Sequence, residues 1–181
     1  MFKIESISAG WIMGEIGDGR QQYVFDYSYI SDFMNDLMKA LLGATGEWED
    51  YSKWYDEFRG ELEPAIDVWN VRRKSDELII DIRNYEDSDS DIVEDEITLT
   101  FVFDEFLKEV VQALENVMQH YGFVGYRESW GYEFPIGMYL MLKNICHGKT
   151  KLTVNEESEN QYGLDETVSD FDKELELLKE K

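Results

Sequence analysis

Phe103, Phe106, Leu107, Val110, Val111, Leu114, Val117, Met118 and Tyr121 recur at the three-and-four spacing of an α-helix. A helix with so wide an apolar stripe must lay it on another apolar layer. Asp104 suits its N-terminus and Gly122 its C-terminus. A second stripe, Ile30, Phe33, Met34, Leu37, Met38, Leu41 and Leu42, predicts another helix, with Ser31 as N-cap and Gly43 just past its end. Two such helices ask for a sheet between or beneath them.

Segments able to build that sheet are present. Residues 2–27 read as a β-hairpin, from Phe2 and Ile4 through Trp11–Ile16, with Gly17-Asp18-Gly19 as a turn before Tyr23–Tyr27. Ala65–Arg73, Leu78–Tyr85 and Glu96–Val102 read as three antiparallel strands in a meander, with residues 74–77 as the first turn. Residues 44–60 are polar, acidic and aromatic, and read as a loop leading into a strand. Gly122–Pro135, rich in Gly and aromatics, reads as an ordered loop, and Pro135 starts a short helix through Met138, Leu142 and Ile145. The predicted fold class is α+β: an antiparallel β-sheet of about five strands with two main helices packed on one face. Residues 1–148 form a single α+β domain. Residues 149–181 carry ten acids and few large apolar residues. They read as an acidic C-terminal tail ending in an amphipathic helix through Val168, Phe171, Leu175 and Leu178.

Composition bears on function through charge. The chain carries 40 acids against 17 bases, a net charge of -23. Seven of the acids (Glu86, Asp87, Asp89, Asp91, Glu94, Asp95, Glu96) fall in the eleven residues from 86 to 96, without a basic residue among them. Self-repulsion at this charge works against compactness, and the field attracts cations while repelling nucleic acid and anionic membrane. At 43% hydrophobic and 14% aromatic residues, the chain is nonetheless too apolar to be a disordered acidic segment. A single cysteine, Cys146, excludes an internal disulfide framework and points to a reducing compartment. With no apolar leader at the N-terminus and no apolar run near ~20 residues, the expectation is a cytoplasmic protein outside the membrane.

The chain carries few motifs with recognisable chemistry. Asp87, Asp89 and Asp91 match the start of an EF-hand loop, but Ile92 stands where Gly is needed and Thr98 where a bidentate Glu belongs. Cys146 and His147 are adjacent, so on a helix they diverge, and with His120 they are too few for zinc. No Gly-x-Ser-x-Gly elbow and no phosphate-cradling glycine loop occurs. Forty acids supply many carboxylate pairs by chance, so a small carboxylate-based hydrolase stays open without any pair to point to. The expectation is no cofactor, no metal and no catalytic residue.

Three short signatures carry a resemblance. They are Tyr29-Ile30-Ser31-Asp32, Glu63-Pro64 followed by Trp69, and Tyr121-Gly122-Phe123-Val124-Gly125-Tyr126-Arg127 with Trp130-Gly131 and Phe134-Pro135. In their order the chain resembles a group of small uncharacterised bacterial proteins and the immunity proteins of polymorphic toxin systems. The resemblance implies an α+β cytoplasmic protein that neutralises a toxin by binding it, and carries no catalytic residue across. The acidic run lies outside it. Charge then suggests the surface: Glu86, Asp87, Asp89, Asp91, Glu94 and Asp95 meet a basic protein partner, a toxin domain, with Trp48, Trp54 and Trp130 as anchors. The alternatives are an acidic structural or regulatory protein and the small hydrolase.

Overall fold

The computed structural model describes residues 1–46, 56–148, 152–156 and 166–180. Three strands open the chain: β1 (Phe2–Ser8), β2 (Trp11–Gly17) and β3 (Gln22–Ser28). Helix α1 (Phe33–Ala44) follows, then β4 (Glu57–Glu61), β5 (Ile66–Lys74), β6 (Glu77–Tyr85) and β7 (Val93–Val102). Helix α2 (Phe103–Trp130) and α3 (Ile136–Cys146) come next, and a small hairpin, β8 (Thr153–Glu156) with β9 (Glu166–Ser169), leads to α4 (Phe171–Lys179). The fold is α+β. Strands β1 to β7 form one antiparallel sheet in chain order, and β8 and β9 pair only with each other.

The sheet therefore has seven strands where about five were expected, and the described residues contain four helices. One extra strand comes from the first segment. Ala9 and Gly10 both take positive φ, 52° and 79°, the backbone of a tight two-residue turn that splits 2–17 into β1 and β2. Ala-Gly is a weak signal for that turn, which Asn-Gly would have announced. The other addition is β4, a short strand after the aromatic segment.

Register decides which residues face the helices. Gly14 lies opposite Phe25, Phe58 opposite Trp69, and Trp69 opposite Ile82. Ile80 pairs with both Val71 and Leu99. These apolar residues are all buried, so they line the inner face. Phe25, Tyr27, Phe33, Phe58 and Trp69 gather there, with centroids 4.8 to 6.4 Å apart in stacked, tilted and edge arrangements. Such pairs each add about 1 kcal/mol beyond their buried area. Two glycines make room for the rings. A Cβ at Gly60 would stand 2.5 Å from the Tyr27 ring, and one at Gly14 would stand 2.5 Å from the Phe25 ring.

Strands β1 and β7 are the two edges of the sheet, yet both meet one residue of α2. Phe106 packs edge-on against Phe2 of β1 at 6.0 Å and in a tilted arrangement against Phe101 of β7 at 4.4 Å. The sheet curls until its edges approach across that helix. Gly122 takes φ 63° and interrupts α2, but helical backbone resumes through Trp130 and stops at Gly131, with φ 104°. The expected loop over Gly122–Pro135 is thus helical for its first half. In α1 the N-cap is Asp32 instead of Ser31, and Gly43 is buried inside the helix while Gly46 takes the positive φ. Val102, not Asp104, stands at the N-cap of α2.

Helix α4 forms where the C-terminal spacing predicted one, with Asp170 as its N-cap accepting from the Asp172 and Lys173 N–H groups. Its buried residue is Leu177, whereas Phe171 is 67% exposed. Leu152 and Leu177 belong to the same apolar core as the sheet.

Candidate functional site

The acidic run straddles a loop and an edge. Glu86, Asp87, Asp89 and Asp91 lie between β6 and β7, and Glu94 and Asp95 open β7. All six are exposed. Asp87 shapes the loop: its Oδ1 accepts from the Asp89 N–H at 2.9 Å and its carbonyl accepts from the Ser90 N–H at 3.4 Å. The neighbouring Glu96 pairs with Arg83 of β6 at 2.8 Å. Among the described residues, no cation pairs with the six.

Strand β7 has a free side, and side chains occupy its backbone. Asp95 Oδ1 accepts from the Glu96 N–H at 2.9 Å. Gln21 Nε2 donates to the Thr98 carbonyl at 3.0 Å, and the Thr100 N–H donates to Asp18 Oδ2 at 3.3 Å. Gln21 and Asp18 belong to the β2–β3 turn, so this turn hooks the far edge of the curled sheet. Asp18 Oδ1 also accepts from the Arg20 and Gln21 N–H groups, and these backbone donors hold its carboxyl below the ordinary range. A row of unpaired strand groups invites another chain to add on. Here three of the outward groups are satisfied within the molecule, and Glu94 and Glu96 add charge to the remainder.

The three tryptophans fare differently. Trp48 and Trp54 lie outside the described residues. Trp130 is fully buried, at 0% exposure, and its indole Nε1 donates to Asp32 Oδ1 at 3.2 Å. It is a core residue joining the end of α2 to the start of α1, which corrects its reading as a surface anchor. Tyr126, one turn earlier, is also at 0% exposure, with a hydroxyl that has no partner among the described residues. Burial, then the nearby Asp32 charge, pushes its phenol well above the usual range. Burial likewise holds the Asp32 carboxyl above its ordinary value, against the opposing Trp130 donor. Gly10 N–H donates to the Ser129 carbonyl, and the Tyr29 N–H donates to the Gly10 carbonyl, both at 2.8 Å. Two of the sequence signatures, Tyr29–Asp32 and Tyr126–Gly131, therefore meet to tie α1, α2 and the β1–β2 turn together. Their observed contacts are structural.

A polar knot that the sequence did not single out sits on the inner face. Asp67 is at 0% exposure. Its Oδ2 accepts from the Tyr23 hydroxyl at 2.5 Å and the Tyr27 hydroxyl at 2.6 Å, and its Oδ1 accepts from Asn84 Nδ2 at 2.9 Å. Trp69 Nε1 donates to the Tyr27 hydroxyl at 2.7 Å. Burial first, and the Asp67 carboxylate next, drive both phenols well above their ordinary range. Both oxygens of this buried carboxylate are hydrogen-bonded. It ties β3, β5 and β6 together across the inner face of the sheet. Strand parity was its signal: Asp67, Trp69 and Val71 share one face of β5.

Other places for chemistry are sparse. Among the described residues no group of three His, Cys, Asp or Glu side chains is placed to hold a metal ion. A surface cleft of about 640 Å³ lies between the β2–β3 turn, the end of β7 and the start of α2, where Asp18, Arg20, Glu105 and Glu109 surround Phe101 and Phe106. No helix among the described residues is long and apolar enough to cross a membrane. No protein-family model matches the chain, and no curated protein or solved structure matches it either.

Proposed function

We propose that the protein is a non-catalytic binding protein, an immunity-type inhibitor that acts in the cytoplasm by covering the basic cleft of a bacterial toxin domain. The observation that supports this reading most is the exposed loop 86–92, where Glu86, Asp87, Asp89 and Asp91 stand without a neutralising cation among the described residues. Nuclease toxins gather positive charge to hold phosphates, and an acidic loop competes for that charge. Charge of this kind speeds encounter and selects the partner more than it sets the final affinity. With Trp130 in the core, slow dissociation rests on other contacts, and Trp48 and Trp54 remain the proposed anchors. The mechanism is occlusion, with neither cofactor nor metal.

A second reading is favoured by the edge of β7. Asp95 caps the Glu96 N–H, and Glu94 and Glu96 charge a strand edge that would otherwise recruit copies of the chain. On this reading the acids keep a structural protein monomeric. The two readings divide the run between them, the loop residues 86–91 facing a partner and residues 94–96 guarding the edge.

The test uses two baits side by side, the native chain and Asp87→Asn/Asp89→Asn/Asp91→Asn. Each is exposed to lysate of the source cell at low salt and eluted with a salt gradient. One basic protein held by the native bait and lost by the variant is the expected result. Equal retention on both baits, or none on either, removes the loop from the mechanism.

A further inference from the structure

We propose that α4 is a detachable latch over the α2–α3 seam, closed by Leu177 and the Lys143 ammonium and released without unfolding the rest of the molecule. This inference is independent of the toxin reading.

Helix α4 has nine residues, too short to persist alone in water. It exists because it docks. Yet the docking is narrow. Leu177 is its one fully buried side chain among the described residues, and Phe171 at its start faces solvent. The segment that delivers it, β8 with β9, forms a two-stranded sheet separate from the main one. Two polar links among the described residues end on Glu180. Lys143 Nζ donates to the Glu180 carbonyl at 2.6 Å, and His147 Nδ1 lies 3.4 Å from the Glu180 carboxylate.

Lys143 makes release cheap in polar terms. It is 3% exposed with the latch closed, and its second bond, 2.6 Å to Glu115 Oε1 of α2, does not involve α4. The Tyr139 hydroxyl donates to the same Glu115 oxygen at 3.0 Å. When α4 leaves, the Glu115 carboxylate keeps both donors, and the ammonium regains water in place of one carbonyl. No buried charge is orphaned, which is what makes most broken buried pairs expensive. Charge favours opening as well. Asp172, Glu174 and Glu176 on α4 and Glu180 at its C-cap outnumber Lys173 and Lys179, in a chain whose net charge is -23. A small cleft of about 210 Å³ already lies beside Glu180, lined also by Lys143, Cys146 and His147, and opening widens it. Elements held this way occupy the low-stability end of a fold and open locally.

Amide hydrogen exchange on the full chain tests the latch, with labelling of Cys146, the one cysteine, as a second readout. Amides of residues 174–179 should exchange at least about tenfold faster than those of α2 between Val110 and Val117. Leu177→Ala should speed exchange in α4 and thiol labelling while leaving α2 protection and the melting temperature in place. Ile80→Val, a core change, should lower α2 protection and leave α4 exchange unchanged. If α4 and α2 amides exchange together in the native chain, or if Leu177→Ala lowers the protection of both, α4 is part of the cooperative core and there is no latch.

Discussion

Asp67, Gly60 and Asp32 are the residues at which the packing argument is sharpest. Asp67→Ala leaves three inward donors, two phenols and an amide, without an acceptor. Each such group costs about 1–3 kcal/mol, so a loss of about 4 kcal/mol is expected in urea unfolding, against about 1 kcal/mol for Tyr23→Phe. Gly60→Ala drives a methyl to 2.5 Å from the Tyr27 ring, and overpacking of that kind should lower stability by about 2 kcal/mol. For Asp32 the sign follows from its raised value. The fold favours the protonated carboxyl, so its contribution is fully present below the ordinary value of 3.8 and is lost as pH rises through the higher folded value. At neutral pH the charge is a burden. Asp32→Asn keeps an acceptor for Trp130 and should raise the melting temperature at pH 7, with no gain at about pH 3. A lower melting temperature at pH 7 would show that the charge itself holds Trp130. These residues were the least legible in the sequence. Asp67 was hidden because the segment around it offers apolar residues to both faces, so alternation alone did not say which face was inward. Trp130 was misread because a glycine-rich stretch with aromatics looks like a recognition loop, whereas Gly122 only kinks α2 and Trp130 returns to the core.

Among elements, the long stripes were legible and the short connections were not. Helix α2 and α1 appeared where Phe106–Val117 and Phe33–Leu42 required them, because a wide apolar stripe has one way to be buried. Strands β5, β6 and β7 followed from alternation and from the turn at residues 74–77. The strand count fell short because the Ala9-Gly10 turn lacks Asn or Asp, and because β4 follows a segment with no clear period. The hook from the β2–β3 turn to β7 joins residues far apart in the chain, and no local pattern encodes it. It gives a prediction at this scale. Asp18→Ala/Gln21→Ala should free the Thr98 carbonyl and the Thr100 N–H, and sedimentation should then detect self-association that the native chain does not show. A monomeric variant with unchanged stability would mean that charge at Glu94 and Glu96 guards the edge without the hook.

At the scale of the whole molecule the charge acts twice. A net charge of -23 repels itself, so raising salt from about 0.01 to 0.5 M should screen that repulsion and raise the melting temperature by about 5 °C. A flat response would mean that the acids are spaced widely enough to ignore one another. The same charge is the ground for the proposed partner, and both it and its place between two strands were legible in the sequence; the capped edge beside that loop needed the fold. The decisive measurement is the affinity of the captured basic partner for the native chain and for Asp87→Asn/Asp89→Asn/Asp91→Asn across a range of salt. The expected result is a steep loss of affinity with salt for the native chain and a weaker, flatter dependence for the variant, at equal melting temperature. Identical affinities and slopes for the two would contradict a role for the acidic loop in binding.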